Sequence, residues 1–344
     1  MNELELQPAF ELWRRYRPDH ARYAFHAGTR AAAEEWQARA RPALAETLGF
    51  QDFSAPLEVD HLETVDRGDH TRQKIMVHTG RHSVMPVYLL LPKGAHGPLP
   101  TVLAFHGHGN GVKDIVGLWE DGTERDTPDG VHQDFALALC RRGFAVAAPE
   151  IAGTGERETD FSGLKPTQEA PTSCMHAAML ASHLGGSLLG LRVRDARRLI
   201  DHLATRPEFD LSRLGTMGLS GGGMLSFFTS CLDLRITACV VSGYYATFKD
   251  TIHAMQHCAC NYVHGLHDFG ELYDLVALVA PRPLFVEAGS HDDLFPIEAV
   301  TESVARARRV YRVFGAEGRV HTGIFEGRHR IDGPKAYAFL QATL

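Results

Sequence analysis

The serine in the segment "MGLSGGGM" has neighbours that suit a reactive hydroxyl. Ser220 lies in the pattern Gly218-Leu219-Ser220-Gly221-Gly222, between a short apolar run and a segment of helical character. At a strand–turn–helix junction such a serine is held in a tight bend, where side chains at positions 218 and 222 would collide with the chain. The pattern predicts an exposed nucleophile at the positive end of a helix. A plain turn is the alternative, and a phosphate loop is disfavoured because no lysine follows.

A serine hydroxyl needs a base to take its proton, and two later segments offer candidates for the base and its partner. The segment "EAGSHDDLFP" follows an apolar run, and a carboxylate there can orient an imidazole. We predict that Asp292 does so, and the adjacent Asp293 is the alternative acid. A purely structural role for the pair is also open, namely capping the helix that begins near Pro296. The segment "FEGRHRIDGP" contains His329, the predicted base, for which a solvated loop histidine is the alternative.

Negative charge that develops on a substrate oxygen requires two backbone N–H groups aimed at it. One is expected from Gly221, directly after the serine. The other is expected from His108, in the loop after the apolar run "TVLAF". These two N–H groups form the predicted oxyanion hole.

Four further residues are candidates for substrate contact, although packing is the alternative for each. Trp119, Tyr244 and Tyr245 lie in segments that we expect to wall the pocket. Glu156 lies in "GTGERE", where an ion pair or hydrogen bonds with Arg157 would instead fasten the loop.

Histidines and cysteines are dense enough to raise the question of a metal site. The densest segment, "HAMQHCACNYVHGLH", matches no paired C-x-x-C pattern, although His253 and His257 have i, i+4 spacing. We therefore expect no metal and no cofactor, and interpret the segment as a buried pocket wall with loop histidines. The residues weighed for this site are His106, His108, His253, His257, Cys258, Cys260, His264 and His267.

The elements that must position these residues follow from hydrophobic periodicity. Residues 57–92 alternate as antiparallel strands, and later short apolar runs alternate with amphipathic helical stretches. That alternation predicts a mostly parallel, doubly wound α/β sheet with an antiparallel start. Residues 1–50 are expected to form an N-terminal helical extension to one domain, 51–344. Three long stretches after strand ends are expected to wall the pocket, namely 107–130, 150–184 and 243–280.

Composition limits the classes of partner. The chain has 344 residues with 35 basic and 42 acidic side chains, a net charge of −7 that gives no reason to expect nucleic acid or an anionic membrane. No basic, apolar leader and no apolar run of membrane-spanning length is apparent. Six scattered cysteines then favour reduced thiols and a cytoplasmic protein. Self-association through residues 1–50 stays an open expectation.

The motifs together resemble the α/β-hydrolase superfamily over roughly residues 80–344. More narrowly, "FHGHG", "PEIAGTGER", "GLSGGG", "LVAPRPLFVEAGSHDDLFP" and "FEGRH" resemble its dienelactone hydrolase and acetyl xylan esterase-like branch. The resemblance implies a Ser220–His329–Asp292 triad, with His108 and Gly221 at the oxyanion hole. One departure is that dienelactone hydrolases proper have a cysteine nucleophile where this chain has Ser220.

The sequence thus predicts an α/β-hydrolase fold and a serine carboxylic-ester hydrolase for small or short-acyl esters, acetylated sugars among them. Catalysis would proceed through an acyl-enzyme. A serine peptidase or amidase of the same fold is one alternative, disfavoured because fifty residues cannot form the propeller that prolyl-oligopeptidase relatives carry. A non-catalytic binding protein on a hydrolase fold is the second alternative.

Overall fold

The computed structural model describes residues 3–95, 97–164 and 170–344. The strands are β1 (Val59–Asp66), β2 (His70–Gly80), β3 (Ser83–Pro92), β4 (Leu99–Phe105), β5 (Ala145–Pro149), β6 (Phe209–Leu219), β7 (Ala238–Ser242), β8 (Leu284–Gly289) and β9 (Val320–Phe325). The α-helices are α1 (Pro8–Arg15), α2 (Arg30–Leu48), α3 (Phe135–Cys140), α4 (Ser173–His183), α5 (Leu188–Leu203), α6 (Gly221–Leu232), α7 (Leu272–Leu275), α8 (Ile297–Val313) and α9 (Pro334–Thr343).

These strands form one nine-stranded sheet in the order β1-β2-β3-β5-β4-β6-β7-β8-β9. The pairs β1–β2, β2–β3 and β3–β5 are antiparallel, whereas every pair from β5 through β4 to β9 is parallel. The predicted α/β fold with an antiparallel start and a parallel remainder is therefore confirmed. Parallel strands place their carboxyl ends at one edge, which is where the site residues lie.

Helices cover both faces of the sheet, because its central strands are apolar on both sides. In β4, Leu103 and Phe105 face the larger core, to which α2, α5, α6 and α8 contribute. Val102 and Ala104 alternate with them and face the second core, with α3 and α9. The near-continuous apolar runs of the sequence are explained by this double burial.

Helix α2 packs into the same core as the sheet. Thr29 caps its start by accepting a hydrogen bond from the Ala32 N–H, and Gly49 caps its end. Its apolar stripe is buried in the larger core, and Gln37 donates to the carbonyl of Ala280 at 2.7 Å. The stripe consists of Ala33, Trp36, Ala40, Leu44 and Leu48.

The three long stretches that follow strand ends have little regular structure. The first contains a 3-10 turn at Gly111–Ile115, the second contains α4, and the third contains α7 and short turns. Residues 165–169 of the second stretch lie outside the described residues. Across the described part of the chain, no helix combines the length and apolar character that crossing a bilayer requires.

Candidate active site

Ser220 occupies a strained turn between β6 and α6. Its φ of +56° and ψ of −119° are unusual for a residue with a side chain. Two hydrogen bonds hold this geometry: the Ser220 N–H donates to the Ser242 carbonyl at 2.9 Å, and its own carbonyl accepts from the Met224 N–H at 2.8 Å. Strain of this kind persists only where the surroundings determine it, and here it directs the side chain to a cavity.

The glycines around Ser220 are required by close backbone contacts. A Cβ at Gly218 would lie 2.2 Å from the Gly222 carbonyl oxygen, and a Cβ at Gly222 would lie 2.0 Å from the Phe105 carbonyl oxygen. The predicted crowding at both positions is confirmed. Gly223, for which the motif gives no role, lets α6 pack on the end of β7, since its Cβ would lie 2.8 Å from the Ser242 oxygen.

Asp292 and His329 lie together at the ends of β8 and β9. The Oδ2 atom of Asp292 accepts a hydrogen bond from Nδ1 of His329 at 2.7 Å. Its other oxygen accepts from the N–H groups of Leu294 and Phe295 at 2.9 and 3.1 Å. The Asp292 side chain is 1% exposed, so these bonds fix a buried carboxylate against one imidazole nitrogen.

The loops that carry these two residues are joined to each other. The Ser290 N–H donates to the Phe325 carbonyl, and the His291 N–H donates to the Gly327 carbonyl, both at 2.9 Å. Gly289 permits the approach, because a Cβ there would lie 2.5 Å from the Gly327 oxygen. The spacing between the carboxylate and the imidazole is therefore set by backbone contacts.

Glu287 fastens the far side of the histidine loop. It is buried at the end of β8, where it accepts hydrogen bonds from Ser242 Oγ and from the Gly333 N–H, each at 2.9 Å. Burial raises the pKa of this carboxyl group. Glu287 is not among the residues predicted from the sequence, although an acidic residue inside the apolar run "LFVEAG" is a signal for it.

The loop after β4 presents the candidate oxyanion donors. Among the described residues, neither the His108 N–H nor the Gly221 N–H donates a backbone hydrogen bond to another residue. The intervening Gly107 N–H is engaged, since it donates to Nε2 of His132 at 2.8 Å. Burial, followed by the nearby His106, lowers the pKa of His132 to about 4, which keeps Nε2 an acceptor.

His106 holds the same loop from behind. Its Nδ1 donates to the Gly107 carbonyl at 2.7 Å, and its Nε2 accepts from the Ile151 N–H at 3.0 Å. In the sequence, His106 is a candidate metal ligand and a neighbour of the predicted oxyanion donor, whereas His132 has no local signal. Their function is to orient the loop backbone, which sequence spacing alone does not show.

A cavity of about 290 Å³ opens at this edge of the sheet. Ser220 and His329 both line it, and Phe295 stacks on the His329 ring with centroids 5.7 Å apart. No hydrogen bond joins Ser220 to His329 among the described residues, and catalytic hydrogen bonds often tighten only when substrate is bound. The lining comprises Gly107, His108, Val131, His132, Leu219, Ser220, Gly221, Tyr244, Gln256, His257, Cys258, Asn261, Leu294, Phe295 and His329.

Of the four residues suggested for substrate contact, only Tyr244 lines this cavity. Tyr245 lies elsewhere, with its ring buried in the core against Phe227, which agrees with the packing alternative. Trp119 also lies outside this cavity, since its half-exposed ring is in a separate turn, with the Arg125 guanidinium 5.1 Å above it.

Glu156 does not line the cavity, and its carboxylate pairs instead with Lys74 at 2.7 Å. Ion pairs nevertheless hold the loop in place, which is the alternative to substrate contact that the sequence suggests for Glu156. Arg157 bonds with Asp195 at 2.8 Å rather than with Glu156.

The ring of His108 lies between the cavity and a group of cysteines. Nε2 lies 3.4 Å from Cys174 Sγ and 3.7 Å from Cys260 Sγ. Hydrogen bonding to Cys174, then to Cys258, raises the pKa of His108 to about 9. The other histidines weighed for a metal lie elsewhere: His257 lines the cavity, His253 and His267 flank Tyr16, and His264 is exposed.

The arrangement can be compared with known proteins. A family model, Abhydrolase_7, described as an Abhydrolase family, matches residues 12–307. The chain belongs to this family. The match begins inside the N-terminal helical region and ends before His329. It confirms the resemblance to the α/β-hydrolases, and it extends that resemblance toward the N-terminus.

Individual relatives agree with this assignment. "Putative hydrolase YtaP" of Bacillus subtilis (strain 168) is 27% identical over 288 residues, which cover 81% of this chain and 89% of the relative. A Bacteroides fragilis structure described as a putative acetyl xylan esterase superposes with a TM-score of 0.76 at 19% identity, covering 93% of this chain and 82% of that one. A glucuronoyl esterase from Solibacter usitatus gives 0.65 at 19% identity, covering 90% and 93%. These structures share the fold.

Proposed function

We propose that the protein is a serine carboxylic-ester hydrolase that acts on small or short-acyl esters. The observation that carries the proposal is the strained Ser220, whose side chain lines a cavity shared with His329, itself bonded to the buried Asp292. A nucleophile, a base and a group that orients the base are the parts that acyl transfer requires.

The chemistry follows from the positions of these groups. Ser220 Oγ attacks the ester carbonyl while His329 Nε2 takes its proton, and Asp292 holds the imidazole by Nδ1 and stabilises the imidazolium. The oxyanion is bound by the N–H groups of His108 and Gly221, which have no other acceptor among the described residues. His329 then protonates the leaving alcohol, and a water molecule hydrolyses the acyl-enzyme by the reverse sequence of proton transfers.

The cavity supports a small acyl group. Its volume of about 290 Å³ is at the lower end of ligand pockets, and Leu219, Leu294 and Phe295 supply an apolar lining near the serine. The similar structures are described as a putative acetyl xylan esterase and a glucuronoyl esterase. Acetylated sugars are therefore the first natural substrates to test.

The test compares Ser220→Ala with Ser212→Ala, an exposed serine at the other end of β6. Hydrolysis of p-nitrophenyl acetate should fall by at least about 10³-fold in Ser220→Ala and stay unchanged in the control. A fluorophosphonate probe should label wild-type protein at Ser220, located by peptide mass spectrometry. Undiminished turnover by a folded Ser220→Ala protein would overturn the proposal.

An acyl-length series then tests the size limit. The kcat/KM for p-nitrophenyl esters should decrease from acetyl to long acyl chains, because a long chain cannot enter the cavity. Equal kcat/KM values for acetyl and long-chain esters would contradict a preference for short acyl groups.

A further inference from the structure

Three cysteines and a histidine from three separate segments meet beside the cavity. The Nε2 atom of His108 and the Sγ atoms of Cys174, Cys258 and Cys260 all lie within 4.8 Å of one another. Within the group, Cys174 Sγ lies 3.3 Å from Cys258 Sγ and 3.4 Å from His108 Nε2, and Cys260 Sγ lies 3.7 Å from that nitrogen.

These separations fit a tetrahedral metal centre. Zinc–sulfur bonds of about 2.3 Å and tetrahedral angles place ligand sulfurs about 3.8 Å apart, and nitrogen and sulfur slightly closer. One imidazole and three thiolates are a donor set that soft, tetrahedral Zn²⁺ prefers. A cation at the centre of the group would need only small movements of the side chains.

The charge around the group also suits a metal thiolate centre. Three thiolates and Zn²⁺ leave one net negative charge, which needs a compensating cation when buried. Arg192 supplies it: this buried guanidinium donates to Cys174 Sγ at 3.1 Å and to the Ala152 carbonyl at 2.8 Å. Among the described residues, its side chain has no carboxylate partner within ion-pair distance.

A disulfide explains less of the arrangement. A Cys174–Cys258 bond would use two of the four groups and leave His108 and Cys260 without a partner of comparable strength. It would also require the two sulfurs to approach from 3.3 Å to about 2.05 Å. A single cation accounts for the convergence of all four groups.

We propose that His108, Cys174, Cys258 and Cys260 bind one Zn²⁺ ion as a closed, structural site. The ion joins the loop after β4, the start of α4 and the 243–280 stretch into one wall of the cavity. Since four protein ligands fill the tetrahedron, the ion has no open position for substrate. Its effect on hydrolysis would come through the position of the His108 backbone.

A metal site here is contrary to the expectation from the sequence that the protein binds no metal. The spacing of the segment around Cys258 and Cys260 resembles no standard pattern because the remaining ligands are distant in sequence. Cys174 lies 84 residues before Cys258, and nothing in the sequence around it marks it as a ligand.

The first experiment measures bound metal in untagged protein purified without chelators. Elemental analysis should find about one zinc per chain in wild-type protein and in Ser220→Ala, so the result does not depend on hydrolysis. Cys174→Ala and Cys260→Ala should lose the zinc. Cys140→Ala, which removes a buried cysteine of the opposite core, is the matched control and should retain it.

A second experiment covers the case in which the ligand variants do not fold. Wild-type protein stripped of metal and reconstituted with Co²⁺ alone should show thiolate-to-cobalt charge-transfer bands and tetrahedral d–d bands, which Zn²⁺ then removes. The proposal is overturned if no such spectrum forms, if zinc content is equal in Cys140→Ala and Cys174→Ala, or if peptide mapping of non-reduced protein finds a Cys174–Cys258 disulfide.

Discussion

The Nδ1 atom of His329 lies 2.7 Å from Asp292 Oδ2, whereas the adjacent Asp293 is turned away from it. The side chain of Asp293 is 78% exposed and pairs with the exposed Arg328 at 3.3 Å. Two neighbouring carboxylates thus have different environments, because the turn after β8 buries one and directs the other to solvent.

We expect Asp292→Asn to lower kcat for p-nitrophenyl acetate by roughly 10²–10⁴-fold, because an amide no longer orients the imidazole or stabilises its charged form. Asp293→Asn is the matched control and should stay within about twofold of wild type, since exposed ion pairs contribute little. Steady-state kinetics on both variants measure this. An equal loss of kcat in both variants would show that Asp292 is not the residue that orients His329.

Glycines 221 and 222 provide a second matched pair. A Cβ at Gly222 would lie 2.0 Å from the Phe105 oxygen, so Gly222→Ala should reduce the free energy of unfolding by about 3 kcal/mol or more. Among the described residues outside its own helix, a Cβ at Gly221 would lie near just the His108 ring, at an ordinary contact distance of 3.5 Å, so Gly221→Ala should keep near wild-type stability. Urea denaturation distinguishes them, and equal stability of the two variants would contradict this account of the turn.

Glu156 should be dispensable for substrate binding. Its carboxylate pairs with Lys74 at a half-buried surface position and does not line the cavity. Glu156→Gln should therefore leave KM within about twofold of wild type and cost about 1 kcal/mol or less of stability. Kinetics with acetyl and longer-chain esters check the first statement. A large rise in KM for any of them would return Glu156 to the substrate site.

The parts of the site that the sequence predicts well are those governed by local chain chemistry. The Gly218–Gly222 pattern specifies a turn, and apolar runs before Asp292 and His329 place both at the same edge of a parallel sheet. The sequence does not show which of the neighbouring carboxylates, Asp292 or Asp293, contacts His329. That contact depends on the local turn, in which the Leu294 N–H donates to Asp292.

The parts that the sequence does not predict depend on contacts between distant segments. Tyr244 and Tyr245 are adjacent in an irregular stretch, and nothing in their order shows which ring faces the cavity and which the core. Cys174 and His108 are 66 residues apart, and their contact exists only because α4 packs beside the loop after β4. Such contacts follow from tertiary packing, not from the spacing of residue types along the chain.

The hydrogen bond between the Gly107 N–H and His132 Nε2 predicts a pH dependence of stability. The pKa of His132 is lowered to about 4 in the folded chain, chiefly by burial, whereas the pKa of a histidine in the unfolded chain is about 6.5. A depressed pKa favours the neutral form in the folded state. The contribution of neutral His132 to the free energy of unfolding is therefore complete above about pH 6.5 and is lost as pH falls toward 4. Protonation also removes the acceptor for Gly107.

His132→Gln is the variant that isolates this effect, because a glutamine oxygen can still accept from Gly107 but does not titrate in this range. Between pH 6.5 and 4, the free energy of unfolding of the wild-type protein should fall by up to about 1.4 kcal/mol per pH unit more than that of the variant. Urea denaturation at several pH values gives the difference directly. Parallel stability curves for the two proteins would show that His132 is not the titrating group. A steeper loss in wild type would connect acid sensitivity to the loop that carries the His108 N–H.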